Sequence, residues 1–382
     1  MKKKGIHIRM WLLAISFLLL AVACSSSGDD QPRNPQPTVL TIYVYSPEHP
    51  LLIRSDVGNV NASFDESKIT RLQIWVFTNG THEKVAYLDT KEIAQLNVGE
   101  GAVYQLPVSD EFAQSKPDVD VYVLANIPTE GYAADSDLDG SSNRQQILDA
   151  TIPKGAFGLE QPTTSVPDAG LPMTGSLTAQ PVVGDAPVLR VGTTSNIATV
   201  RLERAISKVR FVFANTASAD PATPVDPLYI KEIKLDADMI PDNEYLIQQT
   251  RTLTTSWNAE APLWTATESE EKVTEVPNPT IYIYGGQEAQ VYENLIDQSG
   301  LTTKGPFYLR ESDNRLTGKI SYSIGGEDKE STFEMDAAGD FRRNHTWIVY
   351  AYHAGGNYLQ LSAIYVKDWN TTNTKNHDVY NW

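Results

Sequence analysis

Hydrophobic and polar positions alternate in short runs along most of the chain. This period-two pattern is typical of β-strands that bury one face. The runs are rich in β-branched and aromatic residues, and clusters of Gly, Pro, Asn and Asp separate them. The predicted strands are RLQIWVF (71–77), VDVYVLANI (119–127), RFVFA (210–214), PLYIKEIKLDA (227–237), TIYIYG (280–285), GKISYSI (318–324), HTWIVYAYH (345–353) and NYLQLSAIYVKDW (357–369). Helical patterns are scarce, and the best one is NRQQILDA at 143–150.

The order of these elements decides the fold class. Strands joined by short, turn-rich segments favour antiparallel sandwiches, whereas alternating strands and helices would favour a parallel sheet. We therefore predict an all-β chain with two tandem antiparallel β-sandwich domains of Greek-key, transthyretin-like topology. The regular pattern fades in PVVGDAPVLRVGTTSN, near residue 190, which predicts domains at residues 55–189 and 190–382.

The chain begins with an export signal. Residues 1–23 combine a basic head, an apolar stretch and small residues before Cys24, as a secretory signal peptide does. The apolar stretch is shorter than the roughly 20 residues that a spanning helix needs. Cys24 is the single cysteine of the chain, so a disulfide within the chain is excluded.

Cys24 also ends the segment LAVAC, residues 20–24, which resembles a bacterial lipobox. We therefore expect the Cys24 thiol to carry a lipid that attaches the exported chain to the cell outer membrane. The alternative is a chance cysteine in an ordinary signal peptide. The next residues, SSSGDDQPRNPQP at 25–37, have the composition of a flexible tether.

Charge and motif content exclude several classes of function. The chain holds 48 acidic and 31 basic side chains, a formal net charge of -17. Such a surface repels phosphate backbones, so we expect no nucleic-acid partner. The sequence has no G-x-S-x-G nucleophile elbow and no phosphate-binding glycine loop, and its six histidines lack metal-ligand spacing. We predict no enzymatic activity and no cofactor, apart from one calcium hypothesis.

One acidic segment, DSDLDGSSNRQQ, follows the pattern of a calcium-binding loop. Asp135, Asp137 and Asp139 occupy alternating positions. Gly140 stands where such a loop needs its sharp turn. The twelfth position, which should hold a bidentate Glu, is Gln146. A structural Ca²⁺ site therefore competes with an acidic surface loop as the interpretation.

Several segments together resemble a known family. LPMTG (171–175), TVRLERAISKVRF (199–211), FYLRES (307–312) and RRNHTWIVYAYHAGGNYLQLSAIYVKDW (342–369) resemble, in order and spacing, the fimbrillin family of Bacteroidetes pilus subunits. The resemblance implies a two-domain β-sandwich precursor that is exported as a lipoprotein. It also implies that an arginine-specific or trypsin-like protease removes an N-terminal segment, after which the subunits polymerise.

The N-terminal segment contains a strand pattern, TVLTIYVY, in which Leu40, Ile42 and Val44 share one face. By the resemblance, cleavage after Arg54 makes Ser55 the new N-terminus, so that residues 24–54 are a lipidated tether and a propeptide strand. The alternative cut sites are Arg33, in the tether, and Arg71, which begins a strand and should be protected once folded. Removing a strand exposes unpaired backbone groups and an apolar groove. A neighbouring subunit can fill that groove with an extended segment, which is donor-strand exchange.

The resemblance places the donor in the C-terminal region, between about residues 358 and 382. Two sets of apolar side chains there are candidates for the groove: Leu359, Leu361, Ala363 and Tyr365 on one strand face, and Val379 and Trp382 in the more polar tail. The alternative is a last strand that stays in its own subunit, followed by a flexible tail.

The leading interpretation is a shaft subunit of a surface fimbria that self-associates, contacts other fimbrial subunits and supports adhesion to host glycans or proteins. A tip or anchor subunit of the same family is an alternative. A glycan-binding surface lipoprotein is another, because it would share the lipobox, the acidity and the sandwiches. Trp257 and Trp264 are the best candidates for exposed aromatic side chains in that case.

Overall fold

The structure is a computed structural model of the chain. It describes 23 strands and two short helices. The described residues are 37–45, 66–91, 93, 101–127, 138–152, 156–160, 162–193, 196–217, 224–251, 253, 255–277, 301–335, 341–353, 355–366 and 374–378.

The first half of the chain builds two facing sheets. Its elements are β1 (Val39–Tyr45), β2 (Leu72–Thr78), β3 (Lys84–Thr90), β4 (Gly101–Pro107), α1 (Asp110–Ser115), β5 (Val119–Ala125), α2 (Arg144–Asp149), β6 (Thr151–Ile152), β7 (Met173–Gln180), β8 (Val182–Asp185), β9 (Val188–Val191), β10 (Thr199–Arg201) and β11 (Glu203–Arg204). One sheet contains β10, β1, β9 and β8, with β4 also paired to β1. The other has the order β11-β7-β5-β2-β3. Between them lies a core with members from both sheets, such as Ile42 and Val121.

The second half repeats this arrangement. Its strands are β12 (Ser207–Ala217), β13 (Leu228–Leu235), β14 (Glu244–Tyr245), β15 (Ala261–Thr265), β16 (Glu271–Lys272), β17 (Glu275–Pro277), β18 (Thr302–Leu309), β19 (Thr317–Ile324), β20 (Glu327–Glu334), β21 (Thr346–His353), β22 (Gln360–Val366) and β23 (Thr374–Asp378). One sheet has the order β17-β12-β21-β22-β23 with β18 also on β12, and the other has β15-β13-β19-β20 with β16 also on β13. Phe211, Ile320 and Trp347 belong to the core between them.

Local sequence explains how these strands keep one face buried. In β13, Leu228 and Ile230 are buried two residues apart, but the next buried residue is Ile233, three positions on. A β-bulge against β19, between Ile230 and Glu232, accounts for the extra residue. The bulge returns the apolar side chains to the core side of the sheet.

Both helices begin at a capping side chain. Asn143 caps α2 and forms a capping box with Gln146, which confirms the helix predicted at 143–150. Ser109 caps α1, whose first turn is acidic, and the left-handed residue Lys116 ends it. The sequence pattern did not predict α1.

The predicted all-β sandwich fold is confirmed, with one difference in strand direction. β1 pairs in parallel with β9 and β10, and β12 pairs in parallel with β17 and β21. Parallel partners cannot be joined by a hairpin, so these neighbours lie far apart in the sequence. Pairing within the first sandwich also continues through β9, β10 and β11 to Arg204, beyond the boundary expected at residue 190.

A third group of buried residues joins the two sandwiches. It includes Trp75 and Tyr122 from the first sandwich, Ile147 of α2, Ile206 just before β12, and Tyr308 of β18. The two sandwiches therefore share buried apolar surface. Within the described residues, no helix is long and apolar enough to cross a bilayer.

Candidate functional site

β1 is hydrogen-bonded to neighbours along both of its edges. Its whole length pairs with β4 in antiparallel register, from Val39 opposite Pro107 to Tyr45 opposite Gly101. On the other edge, its first half pairs in parallel with β9 and its second half with β10. β1 is thus an internal strand, and its removal would break backbone pairing on two sides at once.

The side chains of β1 make it part of the core. Leu40, Ile42 and Val44 have no exposed surface, and all three belong to the core of the first sandwich. Full burial of an aliphatic side chain stabilises a protein by about 1.5–3 kcal/mol. The predicted propeptide strand therefore contributes a substantial share of the stability of the first sandwich.

The other face of β1 is aromatic. The rings of Tyr43 and Tyr45 stack with their centroids 6.5 Å apart. Gly101 of β4 leaves room for this arrangement, because a Cβ atom at Gly101 would lie 2.7 Å from Cε2 of Tyr45. The outer surface of β1 therefore carries a pair of tyrosine rings beside a glycine of the neighbouring strand.

A cleft of about 600 Å³ lies on this outer face, a size within the range of about 300–1,000 Å³ of ligand pockets. Tyr43 and Tyr45 line it together with the charged residues Asp185 and Arg190. The rest of its lining is small or polar side chains and three aliphatic ones: Val183, Gly184, Val188, Thr193, Asn196, Ile197 and Thr199. Because β1 supplies both rings, the cleft has this form only while β1 is in place.

The predicted donor region occupies a place in the second sandwich. β22 pairs with β21 over its full length, from Gln360 opposite Tyr352 to Val366 opposite Thr346. Leu359 has no exposed surface, Leu361 is 6% exposed, and both belong to the core. β23 pairs with β22 and is the last strand of the described sheet. β22 is therefore held more firmly than β23.

Several predicted site residues lie wholly or partly outside the described part of the structure. Ala363 and Tyr365 lie in β22 opposite Val349 and Trp347, but their side chains are outside the described part of the structure. The following predicted residues lie outside the described residues altogether: Cys24, Arg54, Ser55, Asp135, Asp137, Val379 and Trp382. Lipidation, cleavage and donation by the tail stay predictions.

Asp139, from the calcium hypothesis, has local partners. Its Oδ1 accepts hydrogen bonds from the backbone and hydroxyl groups of Ser141, both at 2.6 Å, and these bonds lower the pKa of Asp139. Gln146 accepts from the backbone of Asn143 in the α2 capping box. Among the described residues, no group of three or more His, Cys, Asp or Glu side chains is placed to bind a metal. The calcium site stays a prediction.

The two tryptophans singled out by sequence differ in their surroundings. Trp257 lines a pocket of about 220 Å³ together with Asp242 and Arg310. Burial lowers the pKa of Arg310 to about 10. The ring of Trp264 is covered instead, because Nζ of Lys304 lies 4.2 Å from its centroid. Trp257 thus lines a pocket, whereas Trp264 packs against a lysine side chain.

Polar residues from the segments that resemble fimbrillins meet at the junction of the sandwiches. Arg204 and Lys208 come from TVRLERAISKVRF, Tyr308 from FYLRES and Asn344 from the segment that starts at 342. All four are buried, and so is Glu66, which contacts three of them. Glu66 was not predicted from the sequence, because it lies in neither a strand pattern nor a motif.

Comparison with known proteins extends this description of the fold. The chain is similar to a solved structure of a candidate cell adhesion protein from Parabacteroides distasonis, with 13% identity, a TM-score of 0.50, and coverage of 87% of this chain and 98% of that chain. At this identity the likeness concerns the fold alone. No protein-family model matches the chain, and no curated protein matches it.

Fimbrial proteins of Porphyromonas gingivalis also appear among the similar structures. The tip fimbrial protein Mfa3 shares 12% identity at a TM-score of 0.43, over 87% of this chain and 100% of that chain. A fimbrilin shares 11% identity at a TM-score of 0.44, over 86% of this chain and 96% of that chain. Both scores lie below 0.5, so the fold comparison rests on the Parabacteroides structure.

Proposed function

We propose that the chain is a structural subunit of a cell-surface fimbria of the fimbrillin kind. It is exported as a lipoprotein acylated at Cys24, cleaved after Arg54 at the surface of the outer membrane, and joined to its neighbours by donor-strand exchange. Its partners are copies of itself and other fimbrial subunits, and the filament supports adhesion to host glycans or proteins. The role is mechanical and adhesive, not enzymatic. A tip or anchor subunit is a variant of the same proposal.

The observation that carries this proposal is the position of β1. It precedes Arg54 in the chain, yet it is an internal strand whose three aliphatic side chains are fully buried. A strand that only tethered the protein to a membrane would need neither two paired edges nor a buried face. This placement supports β1 as a temporary occupant of a site that another segment fills later.

Loss of β1 would leave an open groove in the first sandwich. Its walls would be β4 on one side and β9 with β10 on the other, with buried side chains such as Leu106, Leu189 and Val200. Unpaired backbone groups and apolar surface are both costly to expose. An extended segment from another subunit relieves both costs, which makes the joint strong. Such head-to-tail contacts build an open filament.

The donor in this proposal is the C-terminal segment, and its release begins at β23. β23 is bonded along one edge to β22. In contrast, β22 is bonded to both β21 and β23, contains the buried Leu361 and directly follows the buried Leu359. Release of β23 alone therefore keeps the second core closed. The apolar residues available beyond it include Val379 and Trp382.

The proposal is tested by the mature N-terminus and by a processing-resistant variant. Mass spectrometry of surface-exposed protein should find Ser55 as the first residue. Arg54→Ala should accumulate as a folded, acylated monomer without filaments, whereas Arg33→Ala in the tether should assemble normally. Filaments of normal length from Arg54→Ala, seen by electron microscopy, would contradict the proposal.

A glycan-binding surface lipoprotein is the second candidate, and the cleft over β1 favours it. Two tyrosine rings beside hydrogen-bonding groups of both charges suit a sugar, which presents apolar ring faces and hydroxyl groups. This candidate needs β1 to stay in place, because Tyr43 and Tyr45 belong to it. The two candidates therefore predict opposite fates for the N-terminal segment.

Binding measurements separate the second candidate from the first. In the Arg54→Ala background, which keeps β1, the chain is titrated with a panel of neutral and sialylated oligosaccharides. Tyr45→Ser should abolish binding in the cleft, whereas Tyr358→Ser serves as the control because Tyr358 is 58% exposed and lies outside the cleft. Equal binding by both variants would reject the cleft as a glycan site.

A further inference from the structure

We infer that residues 66–71 form a stop segment, a stretch fixed at the junction of the two sandwiches so that proteolytic maturation ends upstream of it. The segment lies between Arg54 and the start of β2. The inference rests on the proposed maturation, and it names the segment that limits how far the proteolysis proceeds. Three sets of contacts hold the stop segment.

A buried ion pair holds its first residue. Nζ of Lys208 lies 2.9 Å from Oε1 and 3.0 Å from Oε2 of Glu66, and the hydroxyl of Tyr308 donates to Oε1 at 2.6 Å. Glu66 is 1% exposed and Lys208 is 4% exposed. Removal of one partner from such a pair is strongly destabilising, because the other charge stays buried without compensation.

The guanidinium group of Arg204 holds the backbone next to that pair. Its Nε donates to the carbonyl oxygen of Glu66 at 3.0 Å, and Nη2 donates to Oγ of Ser67 at 2.8 Å. Nη1 donates to Oδ1 of Asn344 at 3.2 Å. The planar fork of one buried arginine thus connects the start of the stop segment to the second sandwich.

Asn126, just after β5, holds the rest of the segment. Its Oδ1 accepts from the backbone N–H of Thr70, and its Nδ2 donates to the carbonyl oxygen of Lys68, both at 2.8 Å. Its backbone N–H donates to the carbonyl oxygen of Arg71 at 2.9 Å. The side chain of Arg71 is paired with Asp89, with Nε 2.9 Å from Oδ1.

These contacts protect the basic residues of the segment from proteolysis. Lys68 and Arg71 both have the chemistry that a trypsin-like protease recognises, but a protease needs backbone that is free to enter its active site, and both carbonyl groups are bonded to Asn126. Cleavage there must await local opening. The stop segment thereby separates β1, which can be removed, from β2, which lies between β3 and β5 in the opposite sheet.

The test is limited trypsin digestion of the full chain under native conditions, with the cut sites mapped by mass spectrometry. We expect no early cuts after Lys68 or Arg71. In Glu66→Gln, cleavage at both sites should accelerate about tenfold or more, since a broken buried ion pair favours local opening. Glu83→Gln is the matched control, because Glu83 is exposed. Ser67→Ala is the milder variant, which loses one acceptor for Arg204 and should give a smaller increase.

The pattern of cuts separates local opening from global unfolding. Cuts confined to Lys68 and Arg71 in the variants support the inference. If Glu66→Gln is also cut after Arg310 and Arg343, which are buried in the wild type, the variant has unfolded globally. The inference is then judged on the cleavage pattern of Ser67→Ala. The inference would be overturned if the wild type were cleaved early after Lys68 or Arg71. It would also be overturned if the variants stayed folded and gave the same cleavage pattern as the wild type. Resistance at Arg54 would count against the maturation proposal alone.

Discussion

Leu40 of β1 lies opposite Leu106 of β4 in the antiparallel ladder, and neither residue has any exposed surface. One leucine belongs to the segment proposed to leave the protein, and the other belongs to the sandwich that stays. Substitutions at the two positions can therefore distinguish effects on the stability of the precursor from effects on the stability of the assembled filament.

Replacement of Leu40 tests the role of β1 in the precursor. Leu40→Ala in the Arg54→Ala background should lower the free energy of unfolding by about 2–5 kcal/mol, because it removes buried methyl groups and leaves a cavity. Urea denaturation measures this change. In the proposed maturation, processed subunits no longer contain residue 40, so filaments from Leu40→Ala with intact Arg54 should dissociate at the wild-type rate. Weakened filaments would show that β1 remains in the assembled subunit.

Replacement of Leu106 should have both effects. Leu106→Ala removes a buried side chain from the wall of the groove, so we expect a loss of about 2–5 kcal/mol in the precursor. In the proposed assembly the same wall receives the donor strand, so the filaments should also dissociate faster in denaturant. The comparison of Leu40→Ala with Leu106→Ala in a filament melting experiment is therefore the sharpest test of strand replacement. Equal filament stability for both variants would contradict it.

Truncation of the C-terminus tests which segment is donated. A chain that ends at Trp369 lacks β23 and leaves β22 as the edge strand, so the monomer should fold with a small decrease in Tm. It should not extend filaments, because the proposed donor is gone. A chain that ends at His353 is the comparison, and it should not fold stably, since it also loses Leu359 and Leu361 from the core. Normal assembly of the chain ending at Trp369 would assign donation to β22 or to another segment.

Local patterns predicted β1, β2, β5, β12, β13, β19, β21 and β22, because alternation records which face of a strand is buried. The more exposed strands β3, β4 and β20 were not predicted, and the strand predicted at 280–285 lies outside the described residues. The strand pattern at TVLTIYVY corresponds to β1, and GKISYSI corresponds to most of β19. Alternation does not record which strand is the partner. The parallel pairing of β1 with β9 and β10, and of β12 with β17 and β21, was therefore not predicted. α1 and α2 each have six residues, too few to show a clear helical period, and the ends of α1 are set by the cap at Ser109 and the left-handed Lys116.

The junction contacts were beyond the reach of sequence patterns for a related reason. Glu66 and Tyr308 are 242 residues apart, and an isolated Glu next to a Ser carries no signal of burial. Buried charges are rare unless they are paired, and the pair is visible only in three dimensions. Lys208 and Tyr308 both belong to the segments that resemble fimbrillins. Their shared contact with the Glu66 carboxylate is visible only in the structure.

The last prediction concerns the pH dependence of stability at Glu244, next to the junction. Burial raises the pKa of Glu244, the nearby charge of Glu311 adds to the increase, and the hydrogen bond from the Tyr245 backbone and the charge of Arg343 oppose it. A carboxyl group whose pKa is higher in the folded state does not destabilise the protein at a pH below its ordinary pKa of about 4.3, because it is then protonated in both the folded and the unfolded state. Stability is lost as the pH rises through the folded-state pKa.

Glu244→Gln should therefore raise Tm at pH 7.5, and the gain should shrink towards zero as the pH falls to about 4. Glutamine keeps an oxygen that accepts from the Tyr245 backbone, a bond of 2.7 Å in the wild type. Thermal denaturation across this pH range measures the effect, with Glu83→Gln as the exposed control. An equal gain at both ends of the range would mean that the substitution acts through packing, because a charge effect must disappear when the carboxyl group is protonated.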